Sequence, residues 1–82
     1  MWMATYVERI SELREDHDYK QNEIADVINV AQTTYSDYER GIVRIPVEYL
    51  IRLAEFYNVD MNYLCGVSNI KRPFPKNWGF EI

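Results

Sequence analysis

The sequence predicts an all-α fold, a compact bundle of five short helices followed by a non-helical C-terminal tail. Apolar residues recur at the three- and four-residue spacing of a helix in successive stretches, and Gly, Asn or Pro separates those stretches. No stretch clearly predicts a strand, although Phe80 and Ile82 alternate around Glu81 as the residues of a short strand would. The 82 residues suffice for one small domain with a modest core, so dimerisation would add useful buried surface.

The first predicted helix begins near Tyr6, because Thr5 and Glu8 have the identities and the spacing of a capping box. Ile10 and Leu13 repeat at helical spacing and form its clearest core pair. The helical pattern fades in the polar stretch that follows.

Two more short helices are predicted in the middle of the chain. The second covers residues 21–28, and Asn29 ends it because Asn tolerates the left-handed backbone conformation found at helix ends. The third covers residues 32–40 and is stopped by Gly41.

The fourth helix is predicted to start near Pro46, since proline suits the first helical turn. Asp60 is positioned to cap a short fifth helix over residues 61–65, which Gly66 ends. Residues 67–82 contain two prolines and no helical stripe, so they are predicted to form the tail.

The charge balance is acidic, with 13 Asp and Glu against 9 Lys and Arg and a net charge of −4. Taken alone, this balance argues against a nucleic-acid binder and suits a soluble cytoplasmic protein. A single cysteine, Cys65, excludes an internal disulfide and fits a reducing compartment; it is expected to be a small buried residue. The sequence shows no secretory signal and no transmembrane run, so no membrane association is expected.

The third helix divides into two faces when it is drawn at 3.6 residues per turn. Tyr35 and Tyr38 fall on one side together with Thr34, so this side is expected to pack on the core. The opposite side carries hydrogen-bonding side chains: Gln32, Thr33, Ser36, Asp37 and Arg40.

The second and third helices are separated by only three residues, 29–31. Two short helices joined in this way form a helix-turn-helix, in which the second helix enters the major groove of DNA.

Five sequence pieces resemble one family of proteins. They are "RI..LRED" (9–16), "Q.EIADVINV" (21–30), "TYSDYERG" (34–41), "YLIRLAEFYNV" (49–59) and "YLCG" (63–66). In this order and spacing they resemble the Cro and phage-repressor (XRE-type) family of helix-turn-helix DNA-binding domains. The resemblance implies that residues 1–66 form a five-helix domain that binds double-stranded operator DNA, usually as a symmetric homodimer on a palindrome.

Several positions depart from the family pattern. Lys20 and Ala31 replace the usual hydroxyl caps before the second and third helices, and each loss costs about 1 kcal/mol. Asn29 replaces the turn glycine, and Val27 stands where a charge is usual, so Val27 is expected to be exposed. Asp37 adds a carboxylate to the proposed reading face.

Four side chains of the third helix are predicted to contact bases. The Gln32 amide matches the N6 and N7 groups of adenine, and Thr33 can meet a thymine methyl group. Ser36 can hydrogen-bond to several bases, and Asp37 can accept from cytosine N4. The alternative for Gln32 is an ordinary residue at a helix start, and for Thr33 and Ser36 it is an ordinary surface position. Asp37 has two alternatives: it repels wrong sites, or it lies beyond the groove.

A second set is predicted to contact phosphates: Arg14, Lys20, Gln21, Thr34, Arg40 and Arg44. Gln21 begins the second helix, where free N–H groups favour an anion. The resemblance also implies a structural ion pair between Arg14 and Glu39. The alternative for Arg40 and Arg44 is solvation or local salt bridges, and the alternative for Gln21 is a solvated surface amide.

Catalysis and cofactor binding find no support in the sequence. His17 lies in a polar loop without a nucleophile placed to pair with it, and metal ligands at the usual spacings are lacking. No cofactor, metal or small-molecule ligand is therefore expected. The alternative function is a helix-turn-helix scaffold that serves as a protein-interaction module, such as an antirepressor or a partner subunit; a positive rim around Gln32 favours DNA and a negative rim favours this alternative.

The tail, residues 67–82, is unusually apolar. Pro73 and Pro75 forbid a regular helix and favour an extended path. Its large apolar side chains need a surface to cover: Ile70, Phe74, Trp78, Phe80 and Ile82. We expect the tail to lie beside the fifth helix, either on its own domain or across the twofold axis of a dimer; the third alternative is disorder.

Overall fold

Five α-helices joined by short connections make up the described part of the protein, residues 5–75 of a computed structural model, and this part contains no strand. The predicted all-α fold is confirmed. In chain order the helices are α1 (Tyr6–Asp16), α2 (Gln21–Val27), α3 (Gln32–Glu39), α4 (Val47–Tyr57) and α5 (Met61–Leu64).

Helix ends follow the capping chemistry of the sequence. Thr5 Oγ1 accepts from the Glu8 N–H at 3.3 Å, and the Glu8 carboxylate accepts from the Thr5 N–H at 3.1 Å, which confirms the capping box. Asp60 caps α5 by accepting from the Tyr63 N–H at 2.9 Å. The second, third and fifth helices end one residue earlier than predicted, because the last residue serves as the C-cap: Ile28, Arg40 and Cys65.

A single apolar core is shared by all five helices. Each helix contributes at least one fully buried side chain, and so does Ile28, the C-cap of α2. The fully buried side chains are Ile10, Leu13, Ile24, Ile28, Tyr35, Leu53 and Leu64. Two expectations were wrong at its edge. Val27, expected to be exposed, is half-buried and packs against the core, and Cys65, expected to be buried, is only half-buried because it lies at a helix end.

A buried carboxylate, that of Glu39, ties the first three helices together. Arg14 on α1 donates to it through Nε at 2.7 Å and through Nη2 at 3.1 Å. Gln21 Nε2 on α2 donates to Glu39 Oε1 at 3.1 Å, and the Tyr35 hydroxyl donates to Oε2 at 2.5 Å. The side chains of Glu39 and Arg14 are only 6% and 15% exposed, so this ion pair is screened little by water.

The same contacts control the ionisation of Glu39. Burial alone would raise the pKa of this carboxyl, but hydrogen bonds from Arg14, Tyr35 and Gln21 outweigh burial and hold the pKa below its ordinary value of 4.5. Burial, together with the adjacent carboxylate, raises the pKa of the Tyr35 hydroxyl, so this group stays a donor. The network is therefore one anion surrounded by donors.

The chain beyond α5 runs without regular structure over residues 67–75. The Asp60 N–H donates to Arg72 O at 2.8 Å, and the Phe74 N–H donates to Asn58 Oδ1 at 3.1 Å. Phe74 packs against the core and lines a groove of about 290 Å³ with Asp60, Met61, Asn62 and Pro75.

This segment is also held to α1, since Arg9 Nη2 donates to Ser68 O at 3.2 Å and to Asn69 Oδ1 at 2.7 Å. Trp78, Phe80 and Ile82 lie outside the described residues, and the assembly role of the tail stays a prediction. Within residues 5–75 no helix is long and apolar enough to cross a membrane.

Glu39→Gln should lower the free energy of unfolding by about 3 kcal/mol, because it leaves the buried Arg14 guanidinium without its counter-charge. Urea unfolding of the variant measures this loss. Glu55→Gln is the matched control, since Glu55 is exposed on α4, and it should change stability by less than about 0.5 kcal/mol. Equal small effects of both substitutions would contradict the structural role of Glu39.

Stability should also fall on the acid side because of Glu39. A carboxyl whose pKa is lowered in the folded state stabilises above its unfolded pKa, and that stability is lost as the pH falls through the folded pKa. Wild-type protein should therefore lose stability relative to Glu39→Gln as the pH drops below about 4.5, measured as the difference between their urea midpoints. A difference that does not change with pH would show that Glu39 does not titrate in this way.

Candidate nucleic-acid interface

The geometry of the helix-turn-helix is fixed by the turn between α2 and α3. Asn29 adopts the left-handed conformation with φ of 60°, as expected where an asparagine replaces glycine. The Val30 N–H then donates to Ala25 O at 3.0 Å, and the Tyr35 N–H donates to Ala31 O at 3.0 Å as α3 begins. The turn thus closes α2 and starts α3 within a few residues, although neither Lys20 nor Ala31 supplies a side-chain cap.

The faces of α3 are divided as the helical wheel predicts. Tyr35 is fully buried, Tyr38 is 5% exposed, and Thr34 is half-buried beside them. On the other side Gln32 and Thr33 are exposed at the start of the helix. The remaining polar side chains continue along this side, half-buried or exposed: Ser36, Asp37 and Arg40. The structure therefore brings the four predicted base-contacting residues together on one outer face.

The outer face of α3 carries less negative charge than the sequence suggests. Glu39 is turned inward and neutralised by Arg14, which leaves Asp37 as the carboxylate on the outer side of α3. Asp37 Oδ1 lies 3.8 Å from Arg40 Nη1, and the two side chains are 39% and 65% exposed. Such an exposed pair is weak, so both groups can exchange their partner for a ligand at little cost.

The start of α2 presents one cation and one amide. Lys20 is exposed, while its backbone N–H donates to the Glu23 carboxylate at 2.7 Å. Gln21 is half-buried, and one hydrogen of its Nε2 is taken by Glu39. One amide hydrogen of Gln21 and its backbone N–H remain for another acceptor.

Arg14 is engaged mainly inside the protein. Besides the two bonds to Glu39, its Nη1 donates to Tyr19 O at 2.9 Å, and Nη2 lies 3.8 Å from Glu15. The hydrogen bonds that Arg14 donates to the Glu39 carboxylate raise the pKa of Arg14 above its ordinary value. The predicted ion-pair partners thus lie in contact, and the phosphate role of Arg14 stays a prediction.

Arg44 lies in the connection between α3 and α4, where it is exposed and forms no ion pair with any described residue. Together with Lys20 and Arg40 it provides three exposed cations around the α2–α3 unit. The neighbouring Ile42 and Val43 are also exposed, which the sequence reasoning did not anticipate.

His17 takes part in local packing at the end of α1. It is the C-cap of α1, and its Nδ1 lies 2.8 Å from Leu13 O, which requires the proton on Nδ1. Its ring stacks on Tyr19 and contacts Tyr57 at centroid distances of 6.2 and 5.2 Å. Among residues 5–75, no three His, Cys, Asp or Glu side chains come together as metal ligands.

Two contacts at this site were missed by the sequence reasoning. The bond from Gln21 to Glu39 spans 18 residues and leaves no local sequence signal. The bond from the Tyr35 hydroxyl to Glu39 does have a signal, since the two residues are four apart on one helix.

Comparison with known proteins agrees with this geometry. A family model described as helix-turn-helix matches residues 10–64. The uncharacterized HTH-type transcriptional regulator YobD of Bacillus subtilis (strain 168) is 29% identical over 68 residues, which is 83% of this chain and 61% of the relative. The HTH-type transcriptional regulator ImmR of the same organism is 31% identical over 64 residues, which is 78% of this chain and 50% of the relative.

A phage protein and a solved structure are also similar. The cryptic phage CTXphi transcriptional repressor RstR of Vibrio cholerae is 37% identical over 60 residues, covering 73% of this chain and 54% of the relative. The crystal structure of a transcriptional regulator from Listeria innocua superposes with a TM-score of 0.72 at 25% identity, covering 93% of this chain and 68% of that one.

The chain spans between half and about three fifths of the length of these curated relatives. The family match covers more than half of this chain and includes every residue of α2 and α3. The chain therefore belongs to the helix-turn-helix family of the Cro and phage-repressor type, whose members include HTH-type transcriptional regulators.

Proposed function

We propose that the protein is a sequence-specific DNA-binding transcriptional regulator that inserts α3 into the major groove of a palindromic operator as a homodimer, and that it acts as a repressor. The observation that carries the proposal is the outer face of α3, where polar side chains are exposed while both tyrosines are buried. The phage repressor RstR among the relatives supports the direction of regulation.

Base reading is assigned to the first half of α3 and to its outer side. Gln32 is the principal reader, because an exposed amide can donate to N7 and accept from N6 of adenine at once. Thr33 supplies a methyl group for thymine, and Ser36 supplies a hydroxyl that adapts to several bases. Asp37 accepts a hydrogen bond from cytosine N4 once Arg40 leaves it to contact a phosphate.

Phosphate contacts are assigned chiefly to Lys20, Arg40 and Arg44, which are exposed cations before and after α3 in the chain. Thr34, Gln21 and Arg14 make secondary contacts, since each is partly buried.

The acidic net charge is compatible with this function because of where the charges lie. Residues 14–44 contain four basic and seven acidic side chains. Arg14 and Glu39 cancel in the interior, and Arg40 partly neutralises Asp37. We expect weak non-specific binding, since that binding depends on the number of phosphates neutralised, and we expect useful affinity only from a dimer.

Selection of bound duplexes from a random DNA library tests the proposal directly. A palindrome is the expected result, and the distance between its halves should be close to one helical turn or a multiple of it. Recovery of no enriched sequence would overturn the proposal and favour the second candidate, a helix-turn-helix scaffold that binds another protein; the excess of exposed acidic groups is the observation behind that candidate.

Gln32→Ala should weaken binding to the selected duplex by about 1–3 kcal/mol, because one bidentate base contact is lost. Its fold should persist, since Gln32 is exposed. Titration of selected and scrambled duplexes at the same salt concentration measures the difference. An equal loss on both duplexes would show that Gln32 does not read sequence.

Lys20→Ala should weaken all duplexes alike and reduce the slope of log affinity against log salt by about one unit, because one phosphate contact disappears. Lys71→Ala is the matched control: Lys71 follows α5, and its ammonium lies 5.6 Å from the Tyr63 ring. The control should leave the slope unchanged. A slope that is the same in all three proteins would remove Lys20 from the phosphate contacts.

A further inference from the structure

A mostly apolar groove lies at the start of α5, where the chain returns after this helix. Its volume is about 290 Å³, and it is lined by Asp60, Met61, Asn62, Phe74 and Pro75. We call it the tail groove. Met61 and Phe74 are only partly buried against the core, so both have apolar surface left for a further contact. Small-molecule sites usually measure roughly 300–1,000 Å³, so the tail groove has room for about one large side chain.

Hydrogen bonds hold the two walls of the tail groove together. The Asp60 N–H donates to Arg72 O at 2.8 Å, and the Phe74 N–H donates to Asn58 Oδ1 at 3.1 Å. The prolines on either side of Phe74 restrict the backbone of this segment further. The returning chain is therefore fixed where it forms the second wall, and the groove exists before anything fills it.

One polar group of the tail groove can accept a further hydrogen bond. Asp60 Oδ1 accepts from the Tyr63 N–H at 2.9 Å as the cap of α5. An ionised carboxylate has about four acceptor positions, so this bond leaves the Asp60 carboxylate able to accept another. A matching side chain is large and apolar and carries one donor. Tryptophan has these properties, because its indole N–H is a donor on a large apolar ring.

The chain that leaves the groove contains such a side chain. Pro75 lines the groove, and Trp78 follows it by three residues. Three residues span at most about 11 Å, so the backbone of Trp78 stays within that distance of the wall. Asn77 and Gly79 on either side are residue types that favour turns, which allows the chain to fold back. A side chain on so short a tether has an effective concentration on the order of millimolar, which favours it over one from a second molecule.

We propose that the tail groove binds Trp78 of the same chain, with the indole ring against Met61 and Phe74 and the indole N–H donating to the Asp60 carboxylate. Trp78 lies outside the described residues, so the proposal rests on the groove and on the length of chain that leaves it. It goes beyond the proposed function, because the contact needs neither DNA nor a second copy. The contact would fasten the tail to its own domain beside α5.

Tryptophan fluorescence tests whether the groove is filled. Trp2→Phe leaves Trp78 as the sole tryptophan of the chain, so the emission reports its surroundings. In the folded protein the emission should lie to the blue of that in urea, and iodide should quench it several-fold less. Equal quenching of folded and unfolded protein would overturn the proposal.

A charge on the groove wall gives a second test in the same Trp2→Phe background. Asn62→Glu should shift the Trp78 emission to the red and increase its quenching by iodide, because Asn62 lines the groove. Asn22→Glu is the matched control, since it makes the same change at an exposed position of α2, and it should leave both quantities unchanged. An equal response of the two variants would contradict docking in this groove.

NMR of the methionine methyl groups tests where the ring lies. An indole ring against Met61 shifts its methyl resonance upfield, and Trp78→Ala should remove this shift. The indole N–H should also exchange with water more slowly in the folded protein than in urea. A Met61 signal that is the same with and without Trp78 would overturn the proposal, and fast exchange of a docked indole N–H would remove the contact with Asp60.

Mixing two proteins distinguishes the same chain from a second copy. Methyl-labelled Trp78→Ala protein is combined with an excess of unlabelled wild-type protein at millimolar concentration. We expect the Met61 signal of the labelled chain to stay where Trp78→Ala alone places it. Return of the upfield shift would show that Trp78 of another copy fills the groove, which would overturn the proposal.

Discussion

A buried carboxylate holds together the first three helices of this protein, which include the helix-turn-helix. Glu39 accepts hydrogen bonds from Arg14 on α1, Gln21 on α2 and Tyr35 on its own helix. A charge with a side chain only 6% exposed is tolerable only while its donors remain in place. Loss of any one of these hydrogen bonds lowers stability. The network therefore fixes the relative positions of three helices more narrowly than apolar contacts alone, which tolerate small shifts.

The same contact shapes the chemistry of the outer surface. Because Glu39 points inward, the outer side of α3 carries one carboxylate instead of two, and Asp37 retains an adjacent cation in Arg40. The bond from Gln21 to Glu39 also restrains the start of α2, where Lys20 stands exposed. Stability and the proposed recognition thus share residues, so a substitution at Glu39 affects both.

The fold could be read from the sequence because its signals are local. Thr5 and Glu8 cap α1, Asp60 caps α5, and Asn29 and Asn58 take left-handed conformations at helix ends. The faces of α3 follow from the positions of Tyr35 and Tyr38. The tie between Gln21 and Glu39 could not be read in this way, since it joins residues 18 apart through a specific side-chain geometry. The burial of Val27 and the exposure of Ile42 likewise depend on how helices meet, which periodicity does not specify.

The small number of exposed cations limits how tightly one such domain can bind DNA. Three exposed cations around α2 and α3 neutralise few phosphates, so one domain alone gains little from counterion release. The base contacts proposed for Gln32 and its neighbours would then supply a larger share of the total binding energy, because the non-specific background is low. In the proposed function, two domains add their half-site energies only where both half-sites are present. Under that proposal, the low affinity of a single domain makes occupancy depend more steeply on the presence of two correct half-sites at the correct spacing.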